Sequence, residues 1–287
     1  MNQIISDNSI HSMMSYLENK LQSIYDARES RNIAFRLFEH YLFLPKAEVI
    51  LRKAERISES QMLQLHFALK RLLQHEPLQY ILGHEYFRSL KFSVNSDVLI
   101  PRPETEELVQ LILDDFSNAT TIKLIDIGTG SGCIPISIKK ERPNWRVSAI
   151  DISASALATA ELNSKENHCD VAFTKQDILD PDYQLPELDI IVSNPPYIPF
   201  TDKEKMRKNV LDYEPHLALF VEDSEPLIFY KRILFKAKNL SSKPVVYFEI
   251  HEDLKPELTA LLESEGNNNY TFIKDLQEKY RILRIKL

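Results

Sequence analysis

Three of the five glycines in this 287-residue chain fall inside one pentapeptide, Gly128-Thr-Gly-Ser-Gly132. It follows the apolar run ending at Ile127 and leads directly into a helical pattern, so the chain must pass from strand to helix within these few residues. Glycine allows positive φ and close approach of the backbone, and the first turn of a helix offers unpaired N–H groups. A chain this sparing with glycine uses it here for geometry, and a ligand is expected to lie across the turn. A lone Gly-x-Gly-x-Gly also fits a plain turn, so its surroundings carry the argument.

Those surroundings alternate regularly. Strand patterns at 121–127, 145–151, 171–176, 188–193 and 244–250 are interleaved with helical patterns at 104–116, 132–141, 153–166, 225–239 and 253–264. Such alternation predicts an α/β fold, a mostly parallel Rossmann-like sheet covered by helices on both faces. Segments 270–275 and 280–286 are joined only by Asp275-Leu-Gln-Glu-Lys279, so they form a hairpin and place one antiparallel strand in the sheet. The N-terminal region differs. Ile10, Met13, Met14, Leu17, Leu21 and Ile24 follow helical spacing, and further helices are expected at 31–43, at 45–56 and from the Ser58/Gln61 capping box to Pro77. The predicted organisation is a helical bundle at 1–83, a β-hairpin linker at 84–103 and an α/β domain at 104–287.

Several function classes are disfavoured. No apolar run approaches the ~20 residues that cross a bilayer, and the N-terminus lacks a basic region leading into an apolar one, so a cytoplasmic protein without membrane association is expected. Cys133 and Cys169 lack metal-ligand spacing with any histidine pair, and no metal is expected. Lys and Arg number 10 against 9 Asp and Glu in residues 1–83, but 25 against 33 in the remainder. Stable nucleic-acid binding, which normally rests on a basic face, is not expected. Nothing calls for an obligate oligomer, and a monomer is anticipated.

The next strand, Trp145 to Asp151, ends in a carboxylate about 20 residues beyond the glycine turn, where nucleotide-binding α/β folds place an acid against ribose hydroxyls. Asp151 could alternatively cap the helix that begins near Ser153. After the third strand, Asp177 is suited to an adenine amino group and Ile178 to the ring face, with an exposed turn acid as the alternative for Asp177. NAD and S-adenosylmethionine both satisfy such a site. The Asp126-x-Gly-x-Gly-x-Gly pattern and the terminal hairpin favour the methyl donor.

The fourth strand ends in Ser193-Asn-Pro-Pro-Tyr-Ile198. Two prolines cannot continue a buried ladder, so the strand stops and a stiff loop follows, on the same edge of the sheet as the glycine turn. The Asn194 side-chain oxygen and the Pro195 carbonyl can hold a planar NH₂ group between them, Pro196 stiffens the presentation and Tyr197 supplies a flat face. An amide nitrogen is a poor nucleophile, as the ~18–20 kcal/mol barrier to its C–N rotation shows. Acceptors that aim its lone pair at a methyl group would therefore serve N-methylation, whether of adenine N6, of other exocyclic amines or of a glutamine side chain.

Additional stretches narrow the choice. Pro77-Leu-Gln-Tyr-Ile-Leu-Gly83, Val98-Leu-Ile-Pro-Arg-Pro-Glu-Thr-Glu106, Ile125 to Ile134, Ser193 to Ile198, Tyr213-Glu-Pro215 and Ala218-Leu-Phe220 together resemble the release factor glutamine methyltransferases, the HemK/PrmC family, in order and spacing over essentially the whole chain. The resemblance implies a class I S-adenosylmethionine-dependent methyltransferase fold. It implies transfer of a methyl group from S-adenosyl-L-methionine to the N5 amide of the glutamine in the Gly-Gly-Gln motif of class-1 peptide chain release factors. Carried over by position, the cofactor would lie at Gly128, Thr129, Gly130, Ser131, Gly132, Asp151, Asp177, Ile178 and Asn194, and the glutamine at Asn194, Pro195, Pro196 and Tyr197. Asn194, Pro195 and Tyr197 would carry the chemistry, and Arg102 and Thr105 would lie near the methionine end of the cofactor. The chain departs from the family pattern in Val221-Glu-Asp-Ser-Glu225, where a glycine turn is usual, in His251, where glycine commonly follows Glu-Ile, and in Ile178, where the family can carry an aromatic residue. The alternative activity is methylation of N6-adenine or another exocyclic amine in nucleic acid.

Overall fold

In the computed structural model, which describes residues 7–287, the chain divides into two units. The first is helical. Its α1 (Ile10–Leu21), α2 (Ala27–Leu42), α3 (Lys46–Leu51), α4 (Glu59–Leu72) and α5 (Leu78–Leu82) bury the apolar stripes, with Met13, Leu17, Leu21, Leu37, Phe38, Leu65 and Leu72 in one core. Side-chain oxygens of Ser9, Asp26 and Ser58 cap α1, α2 and α4, and the Ser58/Gln61 capping box is formed in both directions. These caps satisfy N–H groups that the helices leave unpaired. Ile24 lies beyond the end of α1, the third helix is shorter than its pattern, and α5, which no expected helix covers, occupies the stretch between Pro77 and Gly83. Lys208–Tyr213 also belongs to this unit, and the Tyr213 hydroxyl donates to the Gln74 carbonyl at 2.8 Å.

The second unit begins with the hairpin β1 (His84–Phe87) and β2 (Leu90–Ser93). Its turn residues Arg88 and Ser89 have φ of 47° and 62°, the left-handed pair that matches strand twist but normally calls for Asn or Gly. Arg88 is held there from outside: its amide donates to Glu106, and its guanidinium to Gln110 and Glu141. Then follow α6 (Pro103–Asp115), β3 (Lys123–Ile127), α7 (Cys133–Glu141), β4 (Arg146–Asp151), α8 (Ala154–Glu166), β5 (Ala172–Lys175) and β6 (Ile190–Ser193). Beyond β6 come β7 (Ile198–Pro199), α9 (Lys208–Leu211), which is part of the helical unit, β8 (Phe220–Val221), α10 (Ile228–Lys238), β9 (Val245–Glu249), α11 (Lys255–Ser264), β10 (Tyr270–Lys274) and β11 (Tyr280–Lys286).

Seven strands form the main sheet in the order β10-β11-β9-β6-β3-β4-β5. The pairs from β9 to β5 are parallel, and β11 runs antiparallel to both its neighbours, so the sheet has the single reversed strand expected. Successive side chains leave opposite faces of a strand, and the buried residues divide accordingly. Leu124, Ala149, Ile190, Val192 and Tyr247 pack on one face, and Ile125, Ile150, Ile191, Val246 and Phe248 on the other. Register places Ile127 beside Ser193 and Ser193 beside Phe248, so β3, β6 and β9 end next to one another. Among the described residues no helix is long and apolar enough to cross a membrane.

Candidate cofactor and acceptor site

The carboxyl ends of the parallel strands border a cavity of about 300 Å³. The glycine turn forms one side. Gly128, Gly130 and Gly132 have φ of 76°, 54° and 79°, and a Cβ built on Gly128 or Gly130 would meet nothing within 4 Å, so the backbone there faces open space. Gly132 needs its small size for another reason, because a Cβ would lie 2.8 Å from Ile136 Cδ1 and 3.1 Å from Ala160 Cβ where α7 crosses α8. The turn is tied down by its neighbours. The amides of Gly128 and Thr129 donate to the Ile150 carbonyl at 2.9 and 3.1 Å, and Asn163 Nδ2 donates to the Ser131 carbonyl at 2.8 Å. Asn163 also pairs with both backbone groups of Ser93, so one buried amide joins the glycine turn to the hairpin.

Asp151 lines the cavity and organises its own surroundings as well. Oδ2 accepts from the Gly130 amide and Oδ1 from the Ser153 amide, each at 2.9 Å, while Ser153 itself caps α8. Ser153, and not Asp151, is therefore the cap of α8; the Asp151 carboxylate, with about four acceptor sites, holds the turn ahead of that cap and still borders the cavity. Asp177 and Ile178 also border the cavity, with Asp177 Oδ1 accepting from the Leu179 amide at 2.8 Å. Thr129 and Ser131 are buried in the turn and line it too.

Asn194, Pro195 and Pro196 form the facing wall. The Ser193 hydroxyl donates to the Ile127 carbonyl at 2.7 Å, locking the two strand ends together. Among the described residues, neither the Asn194 side-chain amide nor the Pro195 carbonyl takes part in a hydrogen bond. At the end of a buried strand two acceptors in the cavity wall thus have no hydrogen-bond partner among the described residues. Tyr197 lies beside the cavity rather than in its wall, with its ring 5.9 Å from that of His251. Burial, assisted by the Glu249 charge, pushes its phenol up to about 12. After Tyr197 the chain is steadied by parallel pairing of β7 with β8, which explains why Leu219 and Phe220 matter: Ile198 donates to the Leu219 carbonyl at 3.0 Å.

Two buried carboxyl groups flank this region. Asp126, at the base of the glycine turn, is fully buried, and among the described residues neither of its oxygens has a hydrogen-bond partner; burial raises it to about 7. Glu214, from the Tyr-Glu-Pro stretch, is buried and raised by desolvation even though Arg102 Nη2 stands 2.6 Å from Oε1. That pair fixes a cavity-lining arginine, and Pro215, Leu217 and Ala218 complete the same wall. Among the described residues no group of three His, Cys, Asp or Glu side chains is placed to hold a metal ion.

The comparisons agree over most of the chain. Residues 104–213 match the Methyltransferase small domain and residues 13–83 the PrmC N-terminal domain. The release factor glutamine methyltransferase of Flavobacterium psychrophilum is 43% identical over 92% of this chain and 94% of its own. The enzyme of the same name from Bacteroides thetaiotaomicron is 40% identical over 94% of this chain and 97% of its own. The chain belongs to the release factor glutamine methyltransferase family. The class I methyltransferase fold is seen in solved structures as well: the hMettl16 catalytic domain superposes with a TM-score of 0.57 at 16% identity over 80% of this chain and 82% of its own. At that identity the likeness shows the fold alone.

Several cavity residues of this family member carry no signal in a single sequence. Phe229, from α10, borders the cavity that Ile178 also lines, and brings an aromatic ring to a site where the sequence offered only isoleucine. The Ser96–Arg102 loop forms another wall, although its residue types alone read as a linker. The Glu214–Arg102 pair is 112 positions apart, and only the folded chain brings it together.

Proposed function

We propose that this protein transfers a methyl group from S-adenosyl-L-methionine to the N5 side-chain amide of the glutamine in the Gly-Gly-Gln motif of class-1 peptide chain release factors. The observation that carries the reading is the pair of unengaged acceptors, Asn194 Oδ1 and the Pro195 carbonyl, in the wall of the cavity that the glycine turn borders. The lining fits the cofactor: open backbone at Gly128 and Gly130, a carboxylate at Asp151 for ribose hydroxyls, Asp177 for an amino group, and Ile178 with Phe229 as apolar faces. When bound, S-adenosylmethionine supplies an electrophilic methyl group on a sulfonium.

The protein's own part is orientation. An NH₂ held by two acceptors is fixed with its lone pair aimed into the cavity, and fixing reacting atoms in line is worth up to ~7–11 kcal/mol in well-aligned cases. Hydrogen bonds to a nitrogen that becomes positive strengthen toward the transition state, at ~1.5–3 kcal/mol each when charge-assisted. No strong base is needed, because the amide proton becomes acidic only after attack. Pro195 and Pro196 fix φ and leave no N–H to compete for the acceptors, and Tyr197 stiffens the loop from outside the cavity wall. The helical unit is the natural site for recognising the protein substrate, and the acidic balance of the remainder disfavours a nucleic-acid substrate. A monomer acting in the cytoplasm, where release factors work, completes the reading.

The test is incubation with methyl-labelled S-adenosylmethionine and either a purified class-1 release factor or duplex DNA. Label is expected in the release factor and lost when its motif glutamine is changed to alanine. Label confined to DNA would overturn the choice of substrate.

A further inference from the structure

Glu249 ends β9, beside the strand whose next residue is Asn194, and is 3% exposed. It does not border the cavity, but Thr105 does, and the Thr105 hydroxyl donates to Glu249 Oε2 at 2.6 Å. Two charged groups act on this carboxyl favourably from a distance, yet each is engaged elsewhere: Arg102 with Glu214, and Arg281 with Asp275 and the Ile250 carbonyl. The remaining groups around it are Glu104 ahead of Thr105, Tyr197 after β6, Tyr230 of α10, whose hydroxyl donates to the Glu249 carbonyl at 3.2 Å, and Cys133 of α7. Glu249 is thus a buried acid whose side chain reaches the ligand space through one hydroxyl.

A threonine hydroxyl has one proton and two lone pairs. Once the proton is committed to Glu249, Thr105 can only accept from the cavity. We infer that Glu249 is a positioning residue that sets Thr105 as a hydrogen-bond acceptor for a cationic N–H group of the bound ligand, namely the ammonium of the amino-acid end of the cofactor. This rests on the cofactor reading above and deepens it. Arg102, in the same wall, has the complementary chemistry for the carboxylate of that end. Burial raises the Glu249 carboxyl to about 7. At lower pH the protonated acid can donate to Thr105 and turn the threonine proton into the cavity, where it opposes an ammonium. At higher pH the carboxylate holds Thr105 as an acceptor and adds attraction for the cation, so ammonium binding tightens as pH rises through that value.

Calorimetric binding of two ligands tests this. S-Adenosylhomocysteine carries the ammonium, and methylthioadenosine lacks the whole amino-acid end. Thr105→Val and Glu249→Gln should each weaken S-adenosylhomocysteine about tenfold, the size of one charge-assisted hydrogen bond, while methylthioadenosine changes less than about twofold. Thr105→Ser should restore affinity, and Glu249→Gln should flatten the rise in S-adenosylhomocysteine affinity between about pH 6 and 8. Equal loss for both ligands, or a pH slope unchanged in Glu249→Gln, would overturn the inference while leaving the cofactor reading intact. Failure of both ligands to bind the unaltered protein would overturn the two together.

Discussion

The ends of β3 and β6 are adjacent in the sheet and border one cavity, yet they are built from opposite materials. At β3 the chain turns through three glycines with φ between 54° and 79°, held by hydrogen bonds that its amides donate to the Ile150 carbonyl and the Asp151 carboxylate and by one that it accepts from the Asn163 side chain. At β6 it turns through two prolines that need no such ties, because the ring already fixes φ. The glycine turn opens space beside its backbone while its own amides are engaged within the protein; the proline turn removes amide hydrogens and leaves carbonyl and carboxamide oxygens facing outward. The β3 end thus offers room for a ligand and the β6 end acceptors for an N–H donor. Adding atoms should damage the first, and removing them the second.

The largest effect is expected at the proline turn. Asn194→Ala deletes one of two acceptors and leaves the backbone intact, so turnover should fall roughly 10²-fold, as expected for a hydrogen bond that strengthens in the transition state. The melting temperature should stay within about 2 °C, since the Asn194 amide makes no hydrogen bond among the described residues. Steady-state kinetics and a thermal melt on the same sample check both halves. Retained turnover would dissolve the contrast between the two turns.

The next effect is on stability and falls at the glycine turn. Gly132→Ala must place a Cβ 2.8 Å from Ile136 Cδ1 at φ of 79°. A left-handed alanine costs ~1–2 kcal/mol and overpacking typically another ~1–3 kcal/mol, so a loss of roughly 2–5 kcal/mol is expected. Gly130→Ala meets no neighbour within 4 Å and should lose only the conformational part. Urea midpoints for the two variants measure the difference, and equal losses would show that the α7–α8 crossing relaxes freely.

Both turns were legible in the sequence, because glycine and proline punctuate a chain by backbone chemistry that needs no partner. The alternation of strands and helices was legible for a similar reason, since periodicity is local. What escaped were pairings closed by the fold. Thr105 and Glu249 are 144 positions apart and Ser131 and Asn163 are 32 apart, and no period links them. Lys208–Tyr213 lies between β7 and β8 in sequence yet groups with the helical unit, an association that no local pattern announces. Phe229 read as one more apolar residue of an amphipathic helix, and only its position beside the cavity distinguishes it.

The smallest effect should come from removing the hydroxyl of the last residue of the proline turn. Tyr197 packs its ring near His251 and against the core beneath β6 and β9, and its hydroxyl has no hydrogen-bond partner among the described residues. With the phenol pushed up to about 12, the group stays protonated at any pH at which the protein would work. Its ring is therefore expected to stiffen the turn, with no role for its proton in the chemistry. Tyr197→Phe keeps the ring and should hold turnover within about threefold, with the pH–rate profile unshifted, whereas Tyr197→Ala removes a partly buried ring and should cost stability of roughly 2–4 kcal/mol. A phenylalanine variant with turnover reduced tenfold, or with one limb of its pH profile missing, would instead make the phenol a proton carrier and the proline turn more than a clamp.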